Sequence, residues 1–141
     1  MNIAVRYFTK SGNTAKVAEE IGKTVGAEAY PVSVSIDEPV DILFLGGSIY
    51  AFGLDDAIKA FIETLDSNTV KSVAVFSTSA IVKSGNEKMK KFLTERGIKI
   101  LQPEFYCRGE FKSMRKGHPN AQDLEKAAAF AHRIMSESEN R

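Results

Sequence analysis

Two periodicities alternate along this chain, and that alternation limits the fold more than any other feature. Ile3 to Phe8 is a short apolar run ending at a polar, glycine-containing loop, the pattern of a strand. Asn13 to Val25 then places Val17, Ile21 and Val25 four apart with Ala18 beside them, one apolar stripe of a helix. Gly26 stands where a C-cap glycine belongs. Glu28 to Ser35 alternates Tyr30, Val32 and Val34 with smaller residues, a second strand. Asp41 to Gly47 is nearly all apolar at its centre, as a strand covered on both faces of a parallel sheet must be. Leu54 to Leu65 carries Ile58, Phe61, Ile62 and Leu65 at helical spacing, and Val70 to Ser77 is another buried strand. Asn86 to Arg96 is a helix carrying Met89, Phe92 and Leu93, with Gly97 as its stop. Ile98 to Leu101 pairs briefly or leads into a last strand, Glu104 to Arg108. Asn120, with Asp123 three later, resembles a capping box ahead of the stripe Leu124, Ala127, Ala128, Ala131, Ile134 and Met135. The polar end, Ser136 to Arg141, is expected to fray.

Strands alternating with amphipathic helices give an α/β fold, a parallel sheet with helices on both faces. At 141 residues the chain is expected to be a single domain, 1–141, long enough for a core without disulfides or metals. One tension stands in this reading. Only Ile36 to Pro39 separates the second strand from the third, whereas a parallel crossover normally needs about a dozen residues. Either the second strand is shorter than Glu28 to Ser35 or the crossover is a single irregular turn.

Several function classes fall away. The formal net charge is +1, so attraction of the whole chain to nucleic acid or membrane is not indicated. No apolar run approaches the roughly 20 residues of a membrane helix. The start, Met1 to Phe8, has neither the basic region nor the cleavage site of a signal peptide, so a cytoplasmic location is expected. The lone Cys107 allows no internal disulfide and reads as a packed strand-end residue. Two separated histidines without a carboxylate or cysteine cluster give no metal site, and no nucleophile–base arrangement stands out, so no catalytic residue is assigned.

The chemistry concentrates where the first strand ends. In open α/β sheets ligands bind beyond the carboxyl ends of the strands. There Thr9-Lys10-Ser11-Gly12-Asn13-Thr14 runs straight into a helix. Three hydroxyls, a glycine and the first N–H groups of a helix converge, a geometry suited to a phosphate. A P-loop and a dinucleotide fingerprint both require further glycines that this loop lacks. The phosphoacceptor Asp that ends this strand in receiver domains is also missing at Phe8-Thr9. A plain helix N-cap by Ser11 or Asn13, with no ligand, is the remaining alternative.

Thr9 to Thr14 fits the pattern [ST]-x-[ST]-G-N-T, and with it the chain resembles the flavodoxin family, short-chain type. Asp41 to Ser48, Val73 to Ser77 and the final helix from Asp123 extend the resemblance over almost the whole chain. It implies a flavodoxin-like, five-stranded parallel sheet of order 2-1-3-4-5 and FMN as the cofactor. Carried over residue by residue, Thr9, Lys10, Ser11, Gly12, Asn13 and Thr14 would hold the phosphate. Ser48, Ile49, Tyr50, Ala51, Phe52 and Gly53 would cover one face of the flavin ring, with Tyr50 first and Phe52 second against it. Thr78, Ser79, Ala80 and Ile81 would meet the other edge. Where relatives often carry an aromatic residue in that last loop, this chain has Ile81; where they often carry a glycine–acid pair, it has Ala51-Phe52.

The resemblance implies an electron-transfer protein, working with redox partner proteins or a small-molecule electron acceptor and with a monomer favoured. An FMN-dependent oxidoreductase of quinone, NAD(P)H or protoporphyrinogen type is the alternative, and a non-catalytic flavin-binding regulatory module a third. Unlike acidic carriers, the chain has a basic segment, Arg108 to His118, which reads as a partner- or substrate-facing lip at the same sheet edge or as a solvated loop.

Overall fold

A computed structural model describes residues 1–10, 12–50, 53–79, 86–109 and 117–139; the side chains of 48–50, 53 and 54 lie outside that description. The element order is β1 (Ile3–Tyr7), α1 (Asn13–Val25), β2 (Ala29–Pro31), β3 (Val40–Tyr50), β4 (Gly53–Leu54), α2 (Asp56–Glu63), β5 (Val70–Ser79), α3 (Asn86–Glu95), β6 (Lys99–Ile100), β7 (Phe105–Arg108) and α4 (Ala121–Glu139).

The sheet runs β2-β1-β3-β5 with β6 and β7 both on the outer side of β5, and every pairing except β3–β4 is parallel. The parallel flavodoxin-like order that the resemblance implies is therefore present, with seven strands among the described residues rather than five. Two local causes add strands. The chain turns back after β3 as a short antiparallel pair, Ile49 opposite Leu54 and Tyr50 opposite Gly53. The last strand is broken at residues 101–104, so that β6 pairs with Ser72 and Val73 while β7 pairs with Phe76 to Ser79.

The period-two pattern of the central strands decides the layers. Ile42 and Phe44 of β3, with Ala74 and Phe76 of β5, pack under α1 and α4 through Val17, Ala18, Ile21, Phe130, Ala131 and Ile134. Leu43, Leu45, Val73 and Val75 point to the opposite face and meet Ile58, Phe61, Ile62, Met89 and Leu93 of α2 and α3. Burial on both faces explains why β3 and β5 read as continuous apolar runs. Phe130 meets Phe44 edge-on at 5.9 Å and stacks on Phe105 at 5.6 Å, tying α4 to the sheet.

The crossover tension resolves in favour of a short strand. β2 spans only Ala29–Pro31, and the Val32 N–H still donates to Tyr7 O at 2.8 Å before Val34 N–H turns back to Pro31 O at 3.0 Å. Residues 32–39 then return to β3 without a helix. The polar end continues the last helix: α4 runs to Glu139, and an Arg133 Nε–Glu137 Oε1 pair at 3.1 Å spans its last turns. Among the described residues no helix is long and apolar enough to cross a membrane.

Candidate functional site

The carboxyl ends of β1, β3, β5 and β7 converge on one edge of the sheet, where the loop from β1 to α1 lies. Its shape is set by one turn. Thr9 Oγ1 accepts the Gly12 N–H at 2.9 Å, and Gly12 takes φ 91°, a conformation that a residue with a Cβ adopts only under strain. A Cβ at Gly12 would meet nothing within 4 Å, so open space lies beside the loop here.

Gly12 is also the N-cap of α1, and no side chain caps that helix through it. The expected alternative, a cap by Asn13, does not occur: Asn13 is the first helical residue. Ser11 lies outside the described residues. The start of α1 thus presents its first turn toward the loop, where the helix dipole favours an anion.

Two bonds fasten this cradle to its neighbours. The Thr14 and Thr78 hydroxyls lie 2.8 Å apart, both buried, joining the first turn of α1 to the end of β5. Lys10 Nζ stands 3.6 Å from Asp55 Oδ2, an ion pair reaching the start of α2. Asp55 also accepts the Ala57 N–H at 2.9 Å and so caps α2, which is why that helix begins at Asp56 rather than at Leu54. The helix expected over Leu54 to Leu65 thus loses its first two residues, and the signal for its true start is an acid immediately before an apolar-periodic run.

The predicted site residues reach this edge as far as they are described. Ser48 pairs in register with Thr78, and the backbone of Ile49, Tyr50 and Gly53 forms the β3–β4 pair beyond it. Thr78 and Ser79 are buried at the end of β5. Ala51, Phe52, Ala80 and Ile81 lie outside the described residues.

Gly109, inside the basic segment, packs against the start of α1, a contact the sequence did not reveal. Its N–H donates to Ser79 O at 3.2 Å, and a Cβ there would stand 2.8 Å from the Asn13 amide nitrogen. Its neighbour in space is distant in sequence, so no local pattern could announce it.

The basic segment is described only at its ends. Arg108 donates to the Tyr106 hydroxyl at 3.1 Å and its guanidinium lies 5.7 Å from that ring centre. His118 Nδ1 lies 2.7 Å from Asp123 Oδ2. Residues 110–116, with the remaining charges, lie outside the described residues. Cys107 is buried as expected, and burial, with a smaller contribution from Asp123, pushes its thiol up to about 12. A thiol held protonated in this way is a poor nucleophile.

The set of a glycine in the left-handed conformation, a helix N-terminus, hydroxyls and a lysine is the donor chemistry of a phosphate cradle. The residues present therefore fit the phosphate end of a nucleotide.

Comparison with known proteins shows the family and the fold. Residues 4–115 match the family model described as Flavodoxin domain. The chain is 32% identical over 137 residues to the uncharacterized protein MJ0298 of Methanocaldococcus jannaschii, covering 87% of this chain and 90% of that one. Among solved structures it is similar to a flavodoxin from the domain Archaea, with TM-score 0.79, 20% identity and 99% of each chain covered. It is also similar to oxidised Flavodoxin 2 of Bacillus cereus, with TM-score 0.74, 18% identity and coverage of 97% of this chain and 99% of that one.

Proposed function

This chain belongs to the flavodoxin domain family, and from that premise we propose that it binds FMN at the carboxyl edge of the sheet and transfers electrons through it. The single observation carrying the proposal is the loop Thr9 to Thr14: Gly12 at φ 91°, the turn closed by Thr9, and α1 opening without a side-chain cap from its N-cap residue. Thr9, Lys10, Ser11, Gly12, Asn13 and Thr14 would bind the phosphate. Backbone N–H groups and hydroxyls donate to it there, and the helix dipole favours its charge.

Ser48 to Gly53 would form one wall of the ring site, with Tyr50 against the isoalloxazine, and Thr78 to Ile81 the other. The Thr14–Thr78 bond keeps cradle and wall in register, since a shift of either would break it. FMN, when bound, supplies the electron-accepting and electron-donating chemistry. The chain's own part is to bind it, orient it and exclude water from one side of its ring.

The test compares FMN with riboflavin, which lacks the phosphate. Tight binding of FMN, much weaker binding of riboflavin, and loss of that difference in Gly12→Ala are expected by fluorescence titration. Equal affinity for the two flavins, or no binding of either, overturns the assignment. Steady-state assays of the FMN-loaded protein with NAD(P)H and quinones then separate a carrier, which shows no turnover of its own, from an oxidoreductase.

A further inference from the structure

The helix-free crossover between β2 and β3 leaves a hollow in the α2 face of the protein. Its volume is about 650 Å³, inside the roughly 300–1,000 Å³ range of small-molecule pockets. It exists because α2 carries more apolar surface than the core consumes. Ile58, Phe61, Ile62 and Leu65 form the stripe that packs on the sheet. A second stripe, Ala57, Ala60, Phe61 and Thr64, again at i, i+3, i+4 and i+7, lines the hollow instead. Across from it stand Ser33 and Ser35 of the crossover. Alanines facing serines are too short to close the gap, and Phe8 and Leu65 also line it.

The far wall is fastened in place. Arg6, itself buried in β1, donates from Nε to Val34 O at 2.8 Å and from Nη2 to Ser35 O at 3.1 Å. These bonds hold the crossover on the edge of the sheet and keep it from collapsing onto α2. The hollow is a groove with a tied wall, open to solvent on the side where Pro31, Ser33, Ser35, Ala60 and Thr64 are exposed, and its floor is the buried Phe61 and Leu65.

Charge defines the occupant. None of the described lining residues is charged. At the end near Thr9, Lys10 and Asp55 pair with each other, and at the end near Thr69 the Asp66 carboxylate accepts from Asn68 and Thr69. A charged guest would give up part of its hydration here with no counter-charge among the described lining residues, whereas an apolar one covers exposed carbon at no such cost. Ala57 to Thr64 rises about 10 Å along the helix, which suits an elongated guest.

We propose that this hollow binds a neutral, apolar small molecule of aliphatic-chain type beside the cofactor loop. The site is separate from the FMN reading but touches it, because Thr9 both lines the hollow and closes the Gly12 turn.

Titration with the uncharged fluorophore N-phenylnaphthylamine tests the site, with decanol as a neutral competitor and FMN as the control. Ala60 is exposed on a helix, so Ala60→Trp and Ala60→Glu are compatible with folding; far-UV circular dichroism checks this. The expected result is one saturable site per chain, displaced by decanol but not by FMN. Both variants should weaken it by about ten-fold or more, one by filling the hollow and one by placing a carboxylate against an apolar guest.

Unsaturable binding, or binding indifferent to both variants, overturns the proposal. Displacement by FMN would move the fluorophore into the cofactor loops and overturns it as well. So would a signal lost as the chain self-associates in light scattering, which would give the surface to a second copy. Failure of the chain to bind FMN would sink the proposed function and leave this titration intact, so the two readings fail separately.

Discussion

Single residues at the sheet edge act through what their neighbours forbid. Gly109 is fixed by the Asn13 side chain, whose amide nitrogen would sit 2.8 Å from a new methyl group. Gly109→Ala should therefore push Asn13 out of the first turn of α1, lowering stability by about 1–3 kcal/mol, the usual cost of overpacking. Urea denaturation measures that cost, and an unchanged midpoint would show that Asn13 is not held as described. Cys107 makes a pH prediction. Its thiol ionises near 9.0 when unfolded and is pushed up to about 12 in the fold, so folding favours the protonated form. The stability this contributes is complete below pH 9 and disappears as the pH rises from about 9 toward 12. Cys107→Ala should flatten that part of the stability profile relative to the parent chain. The same residue should resist iodoacetamide at pH 8 until the protein is unfolded, as mass spectrometry would detect.

Elements in this chain begin and end on named polar contacts. Asn120 and Asp123 exchange bonds at the start of α4: Asp123 N–H donates to Asn120 Oδ1 at 2.9 Å, and Asn120 N–H to Asp123 Oδ2 at 2.8 Å. That is the capping box the sequence predicted, and Asn120→Ala should cost about 1 kcal/mol in chemical denaturation. Asp123→Ala should cost more than Asn120→Ala, because His118 also leans on that carboxylate. Equal losses would mean the His118 contact contributes nothing. The crossover is held by a different device. Arg6 is buried, and burial lowers its pKa below the usual guanidinium range, against the pull of Tyr30 and Asp37. Arg6→Met should keep β1 but release residues 33–36, raising their amide hydrogen exchange while the exchange of β3 and β5 stays slow.

The whole molecule is a sheet packed on both faces, with its proposed ligand site at one edge. A cofactor that binds only the folded chain stabilises it by mass action, about 2.7 kcal/mol at a hundred times its dissociation constant. FMN should accordingly raise the thermal midpoint by several degrees, with riboflavin raising it less; equal shifts would mean the phosphate loop contributes nothing. Much of this architecture was legible in the chain itself. Apolar runs and helical stripes announced β3, β5 and α1, because burial on two faces or on one leaves a periodic record in composition. The loop Thr9 to Thr14 was legible too, since a strand, a glycine and a helix start lie within a few consecutive residues. Other features depended on contacts between residues far apart in the chain. The sequence left the brief β6 pairing and the short β2 as open alternatives, which pairing across the sheet decided, whereas the Gly109–Asn13 packing and the hollow beside α2 depend wholly on what stands opposite in space. By itself, then, the sequence determined which segments are strands and helices, the helix-covered parallel sheet and the place of the Thr9 to Thr14 loop, for these follow from local periodicity and short-range turn chemistry, while the strand order came with the family resemblance. Only the tertiary structure decided which loops meet at the edge and where space is left over, because sequence spacing carries no record of through-space neighbours.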